Sequence, residues 1–198
     1  MKFTSDIDID FGDREQILDK IQHVPASIRK ETEVRRHNTG VYVTDIPHDP
    51  VHNIAAIDYQ EAEERGYIKL DLLNVWVYQW VRDEQHLTEL MREPHWYKLK
   101  DREFFEQLIH LKNHYETLMS MPEPVDSIPR LAMFLSVIRP GKRHLIGKSW
   151  SEVAKSVWIK PEDGSYYFKQ SHAIAYAHLV VVHMNLLEEN PKSCVSPE

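Results

Sequence analysis

Ser5-Asp6-Ile7-Asp8-Ile9-Asp10-Phe11 lies close to the start of the chain, and from Asp6 to Phe11 it is a strict alternation of acidic and apolar residues. Alternation with a period of two is typical of a β-strand that is covered on one face only. The aspartates then share one face of the strand, and the isoleucines share the other. Gly12 ends the pattern, so the sequence predicts a strand over residues 4–11 with a row of carboxylates along one face.

Asp8 and Asp10 are the centre of a hypothetical metal site. Two carboxylates so close together repel each other, and a hard cation such as Mg²⁺ removes that cost. Two such ions stabilise the attacking and leaving oxygens in phosphoryl transfer. Asp71, near the end of a second predicted strand and among apolar neighbours, is the expected third carboxylate. A solvated acidic edge is the alternative, since alternating strands commonly turn their charges outward.

The rest of the pattern indicates a small sheet among many helices. Further strands are predicted over residues 39–44 and 67–72. Helices are predicted over residues 14–22, 59–64, 73–82, 102–119, 127–138, 150–157 and 169–187. The expected fold class is therefore α+β. We expect a single domain over residues 1–189 and a disordered tail over residues 190–198.

The composition is that of an ordinary globular chain, with 198 residues, 42% apolar and 28% charged. A single cysteine, Cys194, excludes an intrachain disulfide and a cysteine-based zinc site, and it favours a reducing compartment. The start of the chain does not read as a signal peptide, and no membrane span is expected. The net charge of −7 argues against a generic basic DNA coat.

Five segments, in order along the chain, resemble motifs of the C-family bacterial replicative DNA polymerases, whose type member is the α subunit of DNA polymerase III. Residues 5–11 resemble the PDxDxDF motif, residues 36–43 (RHNTGVYV) resemble KHAGGVVI, and residues 66–73 (GYIKLDLL) are similar to GLVKFDFLG. Residues 135–141 (LSVIRPG) match ALxRPG, and residues 167–177 (YFKQSHAIAYA) resemble GFNKSHAAAYA.

This resemblance implies a palm of the polymerase-β-like nucleotidyltransferase type with helical fingers. It implies two Mg²⁺ ions, deoxynucleoside triphosphates and a primer–template DNA as ligands. The catalytic and metal-binding residues would be Asp8, Asp10 and Asp71. The expected nucleotide- or phosphate-binding residues are Lys69, Arg139, Lys142, Ser171 and His172, and the expected DNA-binding residues are Arg35, Arg36 and His37.

Each basic or polar candidate also has an ordinary structural interpretation. Arg139 and Lys142 flank Pro140-Gly141, where cations favour the C-terminal end of a helix dipole. Ser171 and His172 would form a plain helix N-cap, and the Arg35–His37 cluster would simply be solvated. Two histidine pairs are considered as zinc ligands, namely His48 with His52 and His110 with His114. Pairs of this kind are more commonly ordinary surface residues.

The departures from the family pattern shape the expected function. Gln170 replaces the lysine of NKSH, Asn74 replaces the glycine of DFLG, and Thr39 replaces the first glycine of KHAGG. The family's long helical stretch between its first aspartates and the KHAGG strand is much reduced. We therefore expect a minimal DNA-polymerase-like nucleotidyltransferase, virus-encoded or bacterial, that acts in the bacterial cytoplasm with a replisome partner. The alternative is a non-catalytic, replisome-associated or regulatory protein derived from a polymerase palm.

Overall fold

The computed structural model describes residues 6–31 and 33–190. Positions 4 and 5 of the predicted strand, and residues 191–198 of the predicted disordered tail, lie outside the described residues. The structure combines a small mixed sheet with several helices, which confirms the predicted α+β class. The chain divides into two compact units, Met1–Gln79 and Trp80–Glu198. The single domain expected over residues 1–189 stays a prediction.

The first unit is built on a four-stranded sheet with the strand order β1-β6-β3-β2, and a two-stranded sheet pairs β4 with β5. Two short helices, α1 and α2, accompany them. In chain order the elements are β1 (Asp6–Phe11), α1 (Glu15–Leu18), β2 (Val24–Lys30), β3 (Glu33–Tyr42), β4 (His48–Asp49), β5 (Ile54–Ala55), α2 (Tyr59–Glu64) and β6 (Lys69–Asn74).

The predicted first strand is confirmed as β1, and the strand predicted over residues 67–72 is confirmed two residues further on as β6. These two strands are neighbours and run parallel. The strand predicted over residues 39–44 is part of the longer β3. Strand β2 was not predicted, because Pro25 interrupts its pattern. Proline is tolerated there since β2 lies at an edge of the sheet.

Apolar residues on the sheet face opposite to the aspartates form one core cluster of this unit. Leu18 of α1 packs with Val41 of β3 and Leu72 of β6, and partly buried side chains surround them. Helix α1 therefore covers the sheet, although it is shorter than the helix predicted over residues 14–22. A second cluster gathers around the buried ring of Tyr42 and includes Ala62 of α2.

The second unit is helical. Its helices are α3 (Glu84–Leu90), α4 (Arg102–Gln107), α5 (Tyr115–Met119), α6 (Ile128–Val137), α7 (Trp150–Val153) and α8 (Gln170–Glu189). Short 3₁₀ helices occupy Trp96–Lys100 and Pro140–Leu145. Helices α6 and α8 pack against each other and bury the core of this unit. Among the described helices, none combines the length and apolar character needed to cross a membrane.

Two of the predicted helices are wrong. The helix expected over residues 73–82 is instead the end of β6 followed by a 3₁₀ helix, Trp76–Trp80. The helix expected over residues 102–119 starts as predicted after Asp101, whose side chain accepts hydrogen bonds from two backbone N–H groups, but it is broken into α4 and α5. His110 and Asn113 adopt left-handed backbone conformations with φ of 64° and 70°, and a helix cannot continue through them.

Candidate active site

Asp8 and Asp71 lie directly opposite each other in the parallel pairing of β1 with β6. Partners in register project from the same face of a sheet, so the two carboxylates share one face. Asp10, two residues after Asp8, belongs to the same face. The sheet thereby places the three predicted metal-binding aspartates on one side, which is the arrangement that the alternation and the resemblance led us to expect.

The Asp71 carboxylate is buried at 7% exposure and both its oxygens are engaged. Its Oδ1 accepts a hydrogen bond of 2.7 Å from the Thr39 hydroxyl. Its Oδ2 accepts a hydrogen bond from the Lys69 ammonium group, two residues earlier on the same strand. Burial of this carboxylate is therefore compensated by one ammonium and one hydroxyl, as a buried charge requires.

His37 lies beside this ion pair. Its Nδ1 is 3.8 Å from Asp71 Oδ1. The same Nδ1 accepts a hydrogen bond of 2.9 Å from the Gly40 backbone N–H. The ring also packs edge-on against Tyr59, with ring centroids 5.2 Å apart. His37 therefore organises the end of β3 in this structure, and its predicted contact with DNA stays a prediction.

Asp8 and Asp10 are exposed on β1, an edge strand of the sheet. Partial desolvation and the negative charge of Asp8 both raise the pKa of Asp10 above its usual value. Burial and the charge of Asp10 likewise raise the pKa of Tyr78. The two β1 carboxylates thus interact electrostatically, and Asp10 also interacts electrostatically with the phenol of Tyr78, which was not predicted as part of the site.

An open cleft of about 700 Å³ adjoins this end of β1. It starts at Phe11, the residue after Asp10, and includes one cation and one anion together with two amide side chains. Its lining consists of Phe11, Gly12, Asp13, Gln16, Ile17, Lys20, Tyr78 and Gln79. Asp8, Asp10 and Asp71 do not line this cleft, and its residues Phe11 and Ile17 pack with the core cluster on the opposite face of the sheet.

Carboxylate oxygens are the ligands that Mg²⁺ prefers, so the three aspartates fit a hard divalent cation in residue type. Within residues 6–31 and 33–190, no group of three or more His, Cys, Asp or Glu side chains is arranged to hold a metal ion. At this site Lys69 already supplies a positive charge to Asp71. The Lys69 ammonium is a cation held on this face of the sheet. A metal ion would have to share the Asp71 carboxylate with this ammonium or displace it.

The predicted phosphate-binding residues other than Lys69 belong to the second unit. The guanidinium of Arg139 packs 4.1 Å from the centroid of the Phe168 ring, and its buried Nε has no hydrogen-bond partner within the described part of the chain. Burial lowers the pKa of Arg139, and the phenols of Tyr166 and Tyr176 partly offset this effect. A half-buried guanidinium of this kind favours an anionic ligand, and the phosphate-binding role predicted for Arg139 stays a prediction.

Lys142 is a less suitable phosphate ligand than the sequence suggested. It is buried, and its ammonium donates hydrogen bonds of 2.8 Å to the Ser156 carbonyl and 2.6 Å to the Ile159 carbonyl. These bonds fasten the 3₁₀ helix to the segment after α7. A contact with phosphate would require both bonds to break, so the role predicted for Lys142 stays a prediction that this conformation does not favour.

Ser171 and His172 lie in the exposed first turn of α8, and the N-cap position itself is taken by Lys169. The expectation that Ser171 or His172 caps the helix is therefore wrong, while their predicted contact with phosphate is untested. Arg35 and Arg36 are exposed on β3, and Arg35 pairs with Glu33 at 2.8 Å. Both arginines are accessible to a polyanion.

The first histidine pair considered for zinc, His48 with His52, has other partners. His52 Nδ1 lies 3.0 Å from an Asp49 carboxylate oxygen, and Arg29 donates a 2.7 Å hydrogen bond to the same oxygen. His48 Nε2 lies 3.1 Å from the side-chain oxygen of Asn53. These contacts close the β4–β5 hairpin, so the ordinary structural interpretation accounts for this pair.

Sequence reasoning missed Thr39, Gly40 and Tyr78 as parts of the carboxylate site. Thr39 and Gly40 were noted only as positions in a motif, and nothing local in the sequence shows that their strand lies beside β6.

No protein-family model, curated protein or solved structure matches the chain. The resemblance to C-family polymerases therefore rests on the five motifs alone and stays a hypothesis.

Proposed function

We propose that the chain is a DNA-polymerase-like nucleotidyltransferase that adds deoxynucleotides to the 3′ end of a primer. In this proposal the four-stranded sheet corresponds to a palm of the polymerase-β type, and Asp8, Asp10 and Asp71 hold two Mg²⁺ ions. The observation that supports it most is the register of β1 with β6, which sets Asp8 opposite Asp71 although the two residues are far apart in the sequence.

Each residue has a distinct part in the proposed reaction. Bound Mg²⁺ would lower the pKa of the primer 3′-hydroxyl and offset the charge of the triphosphate. The exposed Asp8 and Asp10 present oxygen ligands at the edge of the sheet, where a DNA end can approach. Lys69 lies on the same face as Asp71 and provides a cation for a phosphoryl group. The contribution of the chain is positioning and charge, without a covalent intermediate.

We expect the isolated chain to be a weak polymerase that depends on a partner. A net charge of −7 gives little general attraction for DNA, whose binding relies on phosphate neutralisation. Small misplacement of the reacting groups can cost about 10²-fold in rate. A replisome protein with a basic surface would supply both the attraction and the alignment.

The engagement of Asp71 favours one alternative, a non-catalytic replisome-associated or regulatory protein. A carboxylate with both oxygens bonded to Thr39 and Lys69 is stable without a metal. If those bonds persist in solution in the presence of divalent cations, the sheet serves as a scaffold. In that case the chain retains the carboxylates without transferring nucleotides.

Primer extension separates the two functions. The purified chain is incubated with a labelled primer–template, deoxynucleoside triphosphates and either Mg²⁺ or Mn²⁺. We expect slow extension that Asp10→Asn abolishes and that Asp45→Asn leaves intact, because Asp45 is an exposed acidic residue outside the carboxylate site. Equal extension by wild type and Asp10→Asn would contradict the proposal. The alternative is supported if neither extension nor metal binding is detected.

A further inference from the structure

The Lys69–Asp71 ion pair occupies the centre of the carboxylate face. The two side chains are only 11% and 10% exposed, and the lysine donates directly to Asp71 Oδ2. Because Thr39 bonds the other oxygen at 2.7 Å, the inward carboxylate of the site is fully engaged. Asp8 and Asp10, by contrast, are exposed on the neighbouring strand.

The sheet provides a dedicated space for the lysine side chain. Gly40 lies opposite Asp71 in the antiparallel pairing of β3 with β6. A Cβ atom at Gly40 would come within 2.6 Å of Lys69 Cδ, so only glycine leaves room for the methylenes to cross β3. The ammonium lies 5.9 Å from the centroid of the Tyr59 ring, a further favourable contact for a cation.

A divalent cation on this face would compete with that ammonium for the same carboxylate oxygen. We propose that Lys69 is the resident counter-ion of Asp71, that a divalent cation displaces it, and that the released ammonium then binds a phosphoryl group of the substrate. Metal and phosphoryl ligand therefore bind cooperatively. This inference rests on the proposed function because it concerns the same carboxylates.

Thermodynamic linkage fixes the sign of the effect. While Lys69 bonds Asp71, neither the carboxylate nor the ammonium is fully available to an external ligand. A metal ion that separates them leaves the ammonium available to bind an anion. An anion that binds the ammonium likewise leaves the Asp71 carboxylate available to bind a metal ion. Coupling of this kind is reciprocal and typically changes affinity by about 5- to 150-fold.

Calorimetric titration with Mg²⁺ tests the first half of the inference. Lys69→Met removes the competitor and keeps the apolar stem, so we expect its Mg²⁺ affinity to rise by about 5- to 150-fold over wild type. Lys69→Arg retains a competing cation and should stay close to wild type. Lys30→Met removes an exposed positive charge from the same unit and controls for the change in net charge. Far-UV circular dichroism and thermal unfolding without metal establish that each variant is folded, with Lys69→Gln as a second neutral variant.

Inorganic phosphate tests the second half. Because it binds Mg²⁺ only weakly in solution, it serves as a probe for the released ammonium. We expect phosphate to tighten Mg²⁺ binding by wild type and to have no such effect on Lys69→Met. A result in which phosphate acts equally on both proteins would overturn the proposed cooperativity.

The outcomes distinguish this inference from the proposed function. If wild type binds Mg²⁺ in a way that Asp8→Asn abolishes, but Lys69→Met binds it no more tightly, Lys69 is not a competitor and only this inference fails. If Lys69→Met gains binding that wild type lacks, the competition is supported. If no variant binds Mg²⁺, both this inference and the two-metal proposal fail.

Discussion

Gly40 lies directly opposite Asp71 between β3 and β6, and the space left by its missing side chain is filled by the methylenes of Lys69. Gly40 of β3 thereby determines where the Lys69 side chain of β6 is held. The relationship explains why a small residue is needed at this position, although no positive φ requires it. It also gives the first prediction.

Gly40→Ala should destabilise the first unit. The new Cβ would approach Lys69 Cδ to 2.6 Å and His37 Nδ1 to 3.0 Å, so both side chains must move. Overpacking of this kind costs about 1–3 kcal/mol. Urea unfolding followed by circular dichroism measures the change, and Val34→Ala, at an exposed position of the same strand, is the control. Unchanged stability in Gly40→Ala would show that Lys69 does not occupy this space.

Asp71→Asn should be strongly destabilising in the absence of metal. It leaves the Lys69 ammonium buried without its carboxylate, and removing one partner of a buried pair costs about 3–5 kcal/mol. The double variant Lys69→Met/Asp71→Asn should recover much of this loss, because no charge is then left unpaired. Chemical unfolding of the single and double variants forms a mutant cycle. Additive losses would contradict a direct interaction between the two side chains.

Asp49 should make the β4–β5 hairpin sensitive to acid. Hydrogen bonds from Arg29 and then from His52 hold the pKa of Asp49 well below its usual value. A carboxyl group with a lowered pKa contributes stability that is present above its unfolded value of about 3.9 and is lost as the pH falls further. The stability difference between wild type and Asp49→Asn should therefore be largest near neutral pH and shrink below about pH 4. Thermal unfolding across this pH range measures it, with Asp45→Asn as the control.

His110 should titrate far below an ordinary histidine. Burial, and then the positive charge of Arg139, lower its pKa to about 4. A histidine with a lowered pKa stays neutral in the folded chain, so stability should fall as the pH drops from about 6.5 towards 4. NMR titration of the imidazole tests this, and Arg139→Gln should raise the midpoint. Arg130→Gln is the matched control, since Arg130 pairs with Glu123 and Asp126. A midpoint near 6.5 in wild type would contradict it.

The sequence predicted the elements whose signals are local. The alternation around Asp8 predicted β1, and Asp101 predicted the start of α4. Elements that depend on distant partners were missed or misjudged. Strand β2 forms because β3 pairs with it despite Pro25. The break between α4 and α5 depends on the left-handed backbone of His110 and Asn113, and the sequence has no glycine there to indicate it.

The candidate site shows the same division. The placement of Asp8 and Asp10 on one face of β1 follows from their spacing. The prediction that Asp71 lies beside them depended on the motifs and on the assumption that its strand joins the same sheet. The engagement of Asp71 by Thr39 could not be predicted, because it requires knowing that β3 pairs with β6. The buried contacts of Lys142 likewise depend on the course of the chain after α7.

The most direct test of the carboxylate site is a Mn²⁺ titration of the purified chain, followed by electron paramagnetic resonance of the free ion. We expect saturable binding that Asp8→Asn weakens strongly and that Asp45→Asn leaves unchanged. Asp8 is the appropriate position because it lies opposite Asp71 yet is exposed, so its replacement should not disturb the fold. Binding that is equally strong in wild type and Asp8→Asn, or no binding in either wild type or Lys69→Met, would contradict the assignment of these aspartates to a metal site.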